Sequence, residues 1–222
     1  MAYVEPIRTV AGGPGRWPRV MIITTALALL GATGGSTGSG PMPEVKAVLT
    51  QAIAVLQDTQ LPLAQRRQRL RELAEAHFDF ATMARSSLGY HWKNLSPPQQ
   101  EQFVALFSSF IEDAYLDKIQ GYVNLKFEVA RQRMNGPGYA EVDTKVIQTQ
   151  GSPINLNFQL EKKNGDWKVY DVQIDNISMV DNYRTQFNHV INERGFNVLV
   201  SDLQRKQREL ASLLGNTQAA NR

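Results

Sequence analysis

Apolar residues at Val45, Val48, Leu49, Ala52, Ile53 and Leu56 recur every three or four positions, which is the spacing of one buried helix face. Leu61-Pro62 opens a second helix, since proline is tolerated in a first turn. Leu63, Leu70, Leu73 and Ala74 line one side of it, and Arg66, Arg67, Arg69 and Arg71 fall largely elsewhere, as on a solvated face. In FDFATMARSSLGYHW (Phe78–Trp92), Asp79 reads as the N-cap of a helix starting at Phe80. Ser96, Pro97 and Gln99 form a capping-box start for the next helix. Its stripe is rich in aromatic residues: Phe103, Leu106, Phe107, Phe110, Ile111, Ala114, Tyr115 and Ile119, with Gly121 as terminator.

Beyond Gly121 the period changes from 3.6 to 2. Val123, Leu125, Phe127 and Val129 alternate with polar residues, as do Ala140, Val142, Thr144 and Val146, and then Ile154, Leu156, Phe158 and Leu160. Asn135-Gly136-Pro137-Gly138, Gly151-Ser152-Pro153 and Asn164-Gly165 punctuate these runs, and Trp167–Ile174 is the last strand. The pattern predicts a four-stranded antiparallel meander with one apolar and one polar face. Val180, Tyr183, Phe187, Val190 and Ile191 then form a helical stripe ending at Gly195, and Phe196–Leu214 forms another with Leu199, Leu203, Leu210 and Leu213. The layout is α+β: helices at both ends must cover the apolar face of a single curved sheet. Any part of a curved face that the helices leave unfilled becomes an apolar cavity, which favours an apolar guest.

The N-terminus stands apart. Arg8, Arg16 and Arg19 precede the apolar run VMIITTALALLG (Val20–Gly31), and small residues follow, the pattern of a secretory signal. The run is short for a membrane span, which needs roughly 20 apolar residues; an uncleaved, anchored leader is the alternative. Residues 34–43 read as a flexible linker. The expected organisation is a signal and linker over 1–40, one domain over 41–214, and a flexible tail over 215–222. Of 24 basic and 21 acidic residues, Arg8, Arg16, Arg19 and Glu5 precede residue 41, leaving 21 against 20, a net +1. That balance is no nucleic-acid footprint.

The chain has no cysteine, which excludes disulfides, thiolate metal sites and Cys nucleophiles. It has three histidines, His77, His91 and His189, without metal-ligand spacing, and it has no G-x-S-x-G elbow, Walker loop or dinucleotide fingerprint. No metal or cofactor is expected. His91 as a base, or Asp171 and Asp175 as paired carboxylates, are the remaining catalytic candidates, each more simply read as structural.

The block Phe78–Tyr122 resembles the MlaC-like, or toluene-tolerance, family of periplasmic auxiliary proteins of lipid ABC transport systems. The shared pattern is Phe78-Asp79-Phe80, Met83-Ala84, Leu88-Gly89, Trp92, Leu95-Ser96, Gln100, Phe103, Phe107, Tyr115 and Tyr122. It resumes in WKVYDVQIDNISMVDNYRTQF (Trp167–Phe187) and covers roughly Pro43 to Lys206. The aromatic helix and the Asn182-Tyr183-Arg184 end are also similar to a hopanoid-associated branch.

The resemblance implies a fold like the nuclear-transport-factor-2 cone. It also implies an exported, monomeric, non-enzymatic shuttle that carries a phospholipid or hopanoid-type lipid. Its partners would be an inner-membrane ABC/MCE-type complex and an outer-membrane lipoprotein complex, with only transient membrane-proximal contact. Burying acyl chains yields about 0.8 kcal/mol per CH₂, so such a carrier needs a dry cavity rather than chemistry. The tail-lining candidates are Phe80, Met83, Leu88, Phe103, Phe107, Phe110 and Tyr115 from helices, with Val142, Leu156 and Phe158 from the sheet. Tyr183 and Arg184 are candidates for a head-group rim, and Trp92 and Trp167 for structural anchors. The competing readings are an enzyme on the same scaffold, using Asp171 or His91 as base, and an adaptor whose groove receives a partner helix.

Overall fold

The computed structural model describes residues 40–120, 125–147 and 152–220. The leader, Gly121, Val123 and Gly151 lie outside the described residues. The elements run α1 (Pro41–Gln57), α2 (Leu63–His77), α3 (Phe80–Leu88), a 3₁₀ turn (Gly89–Asn94), α4 (Pro97–Gln120), β1 (Lys126–Met134), β2 (Tyr139–Ile147), β3 (Ile154–Lys163), β4 (Asp166–Ile174), β5 (Ile177–Ser178), α5 (Met179–Arg194) and α6 (Phe196–Ala220).

The helix starts follow the expected capping chemistry. Asp79 Oδ1 accepts from Thr82 N at 2.9 Å at the head of α3. Gln99 Oε1 accepts from Ser96 N at 2.9 Å and from Ser96 Oγ at 3.0 Å at the head of α4. Ser178 Oγ caps α5 by accepting from Asp181 N at 3.0 Å. The bonds from Thr82 N, Ser96 N and Asp181 N each satisfy a backbone donor that a helix start leaves without a partner, and the Ser96 hydroxyl adds a side-chain bond to Gln99.

The sheet is antiparallel throughout, in the order β1-β2-β3-β4-β5. The expected meander of four strands therefore gains a fifth, of two residues. Asp175 and Asn176 both take positive φ, 46° and 68°, as a tight hairpin turn requires, and Ile177 comes back opposite Ile174. Asn164-Gly165 makes the same kind of turn between β3 and β4, with φ of 54° and 96°. Two bulges, at Ala130 and at Tyr170, put an extra residue into β1 and β4. Each bends its strand and reverses which residues face inward beyond it.

α1 packs on β1 and β2, α5 on β4, and α3–α6 pack on one another. One hydrophobic cluster joins Val45 of α1, the helices α3–α6 and the inward sheet face. A smaller cluster of Leu56, Leu70 and Leu116 seals α1, α2 and the second half of α4. Among the described residues no helix is long and apolar enough to cross a membrane.

Candidate functional site

Strand register sorts the inward sheet face into cross-strand rows. The outermost row is Phe127, Val146 and Ile154; the next is Val129, Thr144, Leu156 and Ile174, extended by Ile177. Further in come Val142, Phe158 and Val172, then Ala140, Leu160 and Val169. Across β2, β3 and β4 the inner two rows are buried, none of these six residues being more than 7% exposed, while their β1 members, Gln132 and Met134, are exposed at the sheet edge. In the outer two rows every apolar member is only half-buried, and Ile177 is 64% exposed. The helices therefore cover one end of the apolar face and leave the other partly open.

The helical lining is aromatic. On α4, Phe103 and Phe107 are fully buried, with ring centroids 6.0 Å apart. Both meet Phe187 of α5 edge-on, at 6.0 and 6.3 Å, and Tyr183 stands edge-on to Phe107 and Phe110 at 6.1 and 5.8 Å. Such T-shaped pairs set the positive ring edge against the negative face and fix the helix spacing. All ten tail-lining candidates lie in or against this one cluster. Phe80, Met83 and Leu88 face it from α3, Phe103, Phe107, Phe110 and Tyr115 from α4, and Val142 stands directly opposite Phe158 on the sheet. Leu156 is the only one of the ten on the half-covered rows.

The two rim candidates separate. Tyr183, expected at the rim, is 5% exposed inside the aromatic cluster, because its ring completes the α4–α5 packing. Its hydroxyl is hydrogen-bonded to that of Tyr115, and burial pushes both phenols above their ordinary range. Arg184 is half-buried: Nε donates to Ser86 O at the end of α3 at 2.8 Å, and Nη2 pairs with Asp181 Oδ1 at 2.9 Å. Of the two anchor candidates, Trp167 is buried with the Lys162 ammonium 6.0 Å from its ring centroid, and the carbonyl of Trp92 accepts from Gln100 Nε2 at 3.1 Å.

The catalytic candidates are dispersed. Asp171 is buried and accepts from Ser178 Oγ, from Val172 N at 2.8 Å and from Val180 N at 3.0 Å, which ties β4 to the start of α5. Burial pushes its carboxyl up against those three bonds. Asp175 instead accepts from Asn155 N at 3.1 Å and is exposed, so the two carboxylates form no pair. His91 lies in a groove between the 3₁₀ turn and the α5–α6 junction, beside Asn94 and Arg194. Among the described residues no cluster of His, Cys, Asp and Glu is arranged to hold a metal.

Among the described residues the apolar space between α1, α2 and the sheet is nearly closed. Between α1, the end of α2 and the sheet, Val45, Leu49, Phe78, Leu160 and Trp167 border a cavity of about 20 Å³. That suffices for one water-sized group, not for a chain of methylenes. A depression of about 750 Å³ lies among Arg131, Arg133, Glu141, Asp143 and Asn157 of the polar side of the sheet, with Thr144 and Leu156 also at its border, a mostly polar lining unsuited to hydrocarbon.

A model of the MlaC protein family matches residues 46–205. The chain belongs to the MlaC family. It is 30% identical over 121 residues to the intermembrane phospholipid transport system binding protein MlaC of Haemophilus influenzae. That match covers 53% of this chain and 56% of the relative, so the chain spans little more than half the length of the curated relative it matches. It is also similar to the solved structure of a phospholipid-binding protein from Ralstonia solanacearum in complex with a phospholipid. The TM-score is 0.71 at 25% identity, covering 78% of this chain and 99% of that one. The MlaC match spans α1 to α6, so both the half-covered rows and the aromatic cluster lie within the family's domain.

Sequence reasoning missed most of the open rows. Phe127, Val129, Val146, Ile154 and Ile174 share the inward parity of Leu156, and that parity is the signal by which they could have been found. It missed Thr144 for a plainer reason: threonine is an ordinary strand residue.

Proposed function

We propose that the chain is a periplasmic phospholipid carrier that takes lipid from one membrane system and delivers it to another without chemical change. The observation that carries this reading is the gradient along the inward sheet face, from the half-covered rows at Phe127 and Leu156 to the sealed rows at Phe158 and Leu160. A half-covered apolar band that continues into a dry core gives acyl chains an entrance and a destination, and keeps the polar head in water. Family membership, the naming of the Haemophilus influenzae relative and the phospholipid in the Ralstonia solanacearum structure support the same cargo.

Because the apolar cavity between α1, α2 and the sheet has room for only about one water-sized group among the described residues, tails enter on this reading as the helices and the sheet part. Each methylene then transferred from bilayer to protein exchanges one apolar environment for another, so uptake is reversible, as delivery demands. The partners on this reading are an inner-membrane ABC/MCE-type complex and an outer-membrane lipoprotein complex, and the leader at Val20–Gly31 supplies export. Asp171 is engaged by hydrogen bonds that tie β4 to α5, and His91 lines a separate groove at the α5–α6 junction, so neither stands as a base on the half-covered apolar face.

The test is to express the full chain with its own leader, purify it from the periplasm without detergent, and record a native mass spectrum followed by lipid extraction. A stoichiometric phospholipid adduct released by denaturation is expected. A mass free of lipid, unchanged after incubation with phospholipid vesicles, overturns the reading, and a hopanoid adduct replaces the cargo.

A further inference from the structure

One polar side chain interrupts the inward face where the open rows meet the sealed ones. Thr144 is 2% exposed, and its Oγ1 has no hydrogen-bond partner among the described residues. Its cross-strand neighbours are apolar, Val129 on one side and Leu156 on the other, both half-buried. The other polar residues of this face are accounted for: Gln132 Oε1 accepts from Met42 N at 3.0 Å and so docks the start of α1, and the exposed Lys162 sets its ammonium 6.0 Å from the Trp167 ring centroid. A buried hydroxyl without a partner is costly to keep, and valine has the same shape without that cost.

We propose that Thr144 is a specificity-determining contact of the carrier, its hydroxyl donating to an ester carbonyl oxygen of the bound lipid. This rests on the carrier reading above. Below its head group a diacyl lipid offers acceptors only at the two ester linkages, where glycerol meets the tails. Thr144 stands at the matching depth. It is one row in from the outermost residues Phe127, Val146 and Ile154, which at two residues along a strand is about 7 Å. Two further rows lie deeper, apolar and sealed across β2, β3 and β4, where tails belong. The head group then falls at or outside the first row, in water. The γ-methyl of Thr144 continues the apolar surface while the hydroxyl supplies the one donor the ester requires.

The experiment compares uptake of a diacyl phosphatidylethanolamine and of its dialkyl ether counterpart from vesicles, read by native mass spectrometry, for the wild-type chain, Thr144→Val and Thr144→Ser. The wild type should prefer the ester lipid by about tenfold, the worth of one neutral hydrogen bond. Thr144→Val should lose that preference by weakening ester binding alone, and Thr144→Ser should keep it. The thermal midpoint of lipid-free Thr144→Val should equal or exceed that of wild type, which shows that any lost preference is not unfolding. Equal uptake of the two lipids by wild type, or an undiminished preference in Thr144→Val, overturns the assignment and leaves the carrier standing. Uptake of neither lipid by wild type overturns the carrier reading and this one with it. If Thr144→Val does not fold, the wild-type preference and its retention in Thr144→Ser decide.

Discussion

The ammonium of Lys163, at the end of β3, closes on the carboxylate of Asp79, the residue that caps α3. Burial alone would raise the Asp79 pKa, but the hydrogen bonds from Lys163 and Thr82 outweigh it and hold the group at about 2. A carboxyl depressed in the folded state contributes stability that is present above its ordinary pKa of 3.8. That contribution is lost as pH falls through about 2. Glu161 beside it moves the other way, raised by burial and by the neighbouring Asp79, so its contribution opposes that of Asp79 above the ordinary carboxylate range. Asp79→Asn should therefore cost about 1 kcal/mol at pH 7. The difference from wild type should shrink on acidification toward pH 2, in urea titrations at several pH values.

Glu112 presents the opposite sign. It is 5% exposed between α2 and α4, its Oε2 accepts from Arg71 Nε at 2.8 Å, and its Oε1 has no partner among the described residues. Burial pushes its carboxyl up in spite of Arg71. A raised carboxyl favours folding below its ordinary pKa of 4.5 and works against it as pH rises through the folded value. Glu112→Gln should thus leave stability at pH 8 unchanged or higher by up to about 1 kcal/mol, because Arg71 keeps Asp113 at 2.7 Å as a partner. The gain should vanish below pH 4. A loss of several kcal/mol at pH 8 would show that the Arg71 pair dominates burial.

Much of this was legible in the chain, for identifiable reasons. The Asp79 and Ser96 caps, the aromatic stripe of α4 and the Asn164-Gly165 turn depend on neighbours within a few residues, so local chemistry specified them. The fifth strand was also written locally, in Asp175-Asn176, but two residues leave no alternation to detect. The bulge at Tyr170 left a trace, since inward residues step from Val169 to Val172 instead of keeping period two. What could not be read was which apolar residues stay half-covered. Phe127 and Phe158 occupy equivalent alternating positions, and only the reach of the helices over the sheet separates them.

That separation yields a contrast between two substitutions. Phe103 is fully buried among Phe107, Phe187 and Phe196, so Phe103→Ala should cost about 3–5 kcal/mol by leaving a cavity. Leu156 is half-buried on the open rows, so Leu156→Asn should cost nearer 1 kcal/mol yet reduce co-purified lipid several-fold. Thermal melts paired with lipid extraction distinguish the two. Equal lipid content in Leu156→Asn and wild type would remove the open rows from the entrance.

The hydroxyls of Tyr115 and Tyr183 form a polar pair inside an otherwise hydrocarbon core, joining α4 to α5. Each ring fills its place without its oxygen, so phenylalanine preserves packing and removes only the bond. A single Tyr→Phe leaves the other hydroxyl buried without this partner, which costs about 1–2 kcal/mol in either position. Removing both replaces the pair by apolar groups of nearly the same shape, which is close to neutral. The double variant Tyr115→Phe, Tyr183→Phe should therefore be more stable than the sum of the two single losses predicts, with a coupling of about 1 kcal/mol in a double-mutant cycle. A strictly additive cycle would mean that each hydroxyl finds its main partner elsewhere. If the pair also stiffens the α4–α5 contact against the parting by which tails enter on the carrier reading, the double variant should take up lipid from vesicles faster than wild type at equal final occupancy, a difference that stopped-flow transfer would detect.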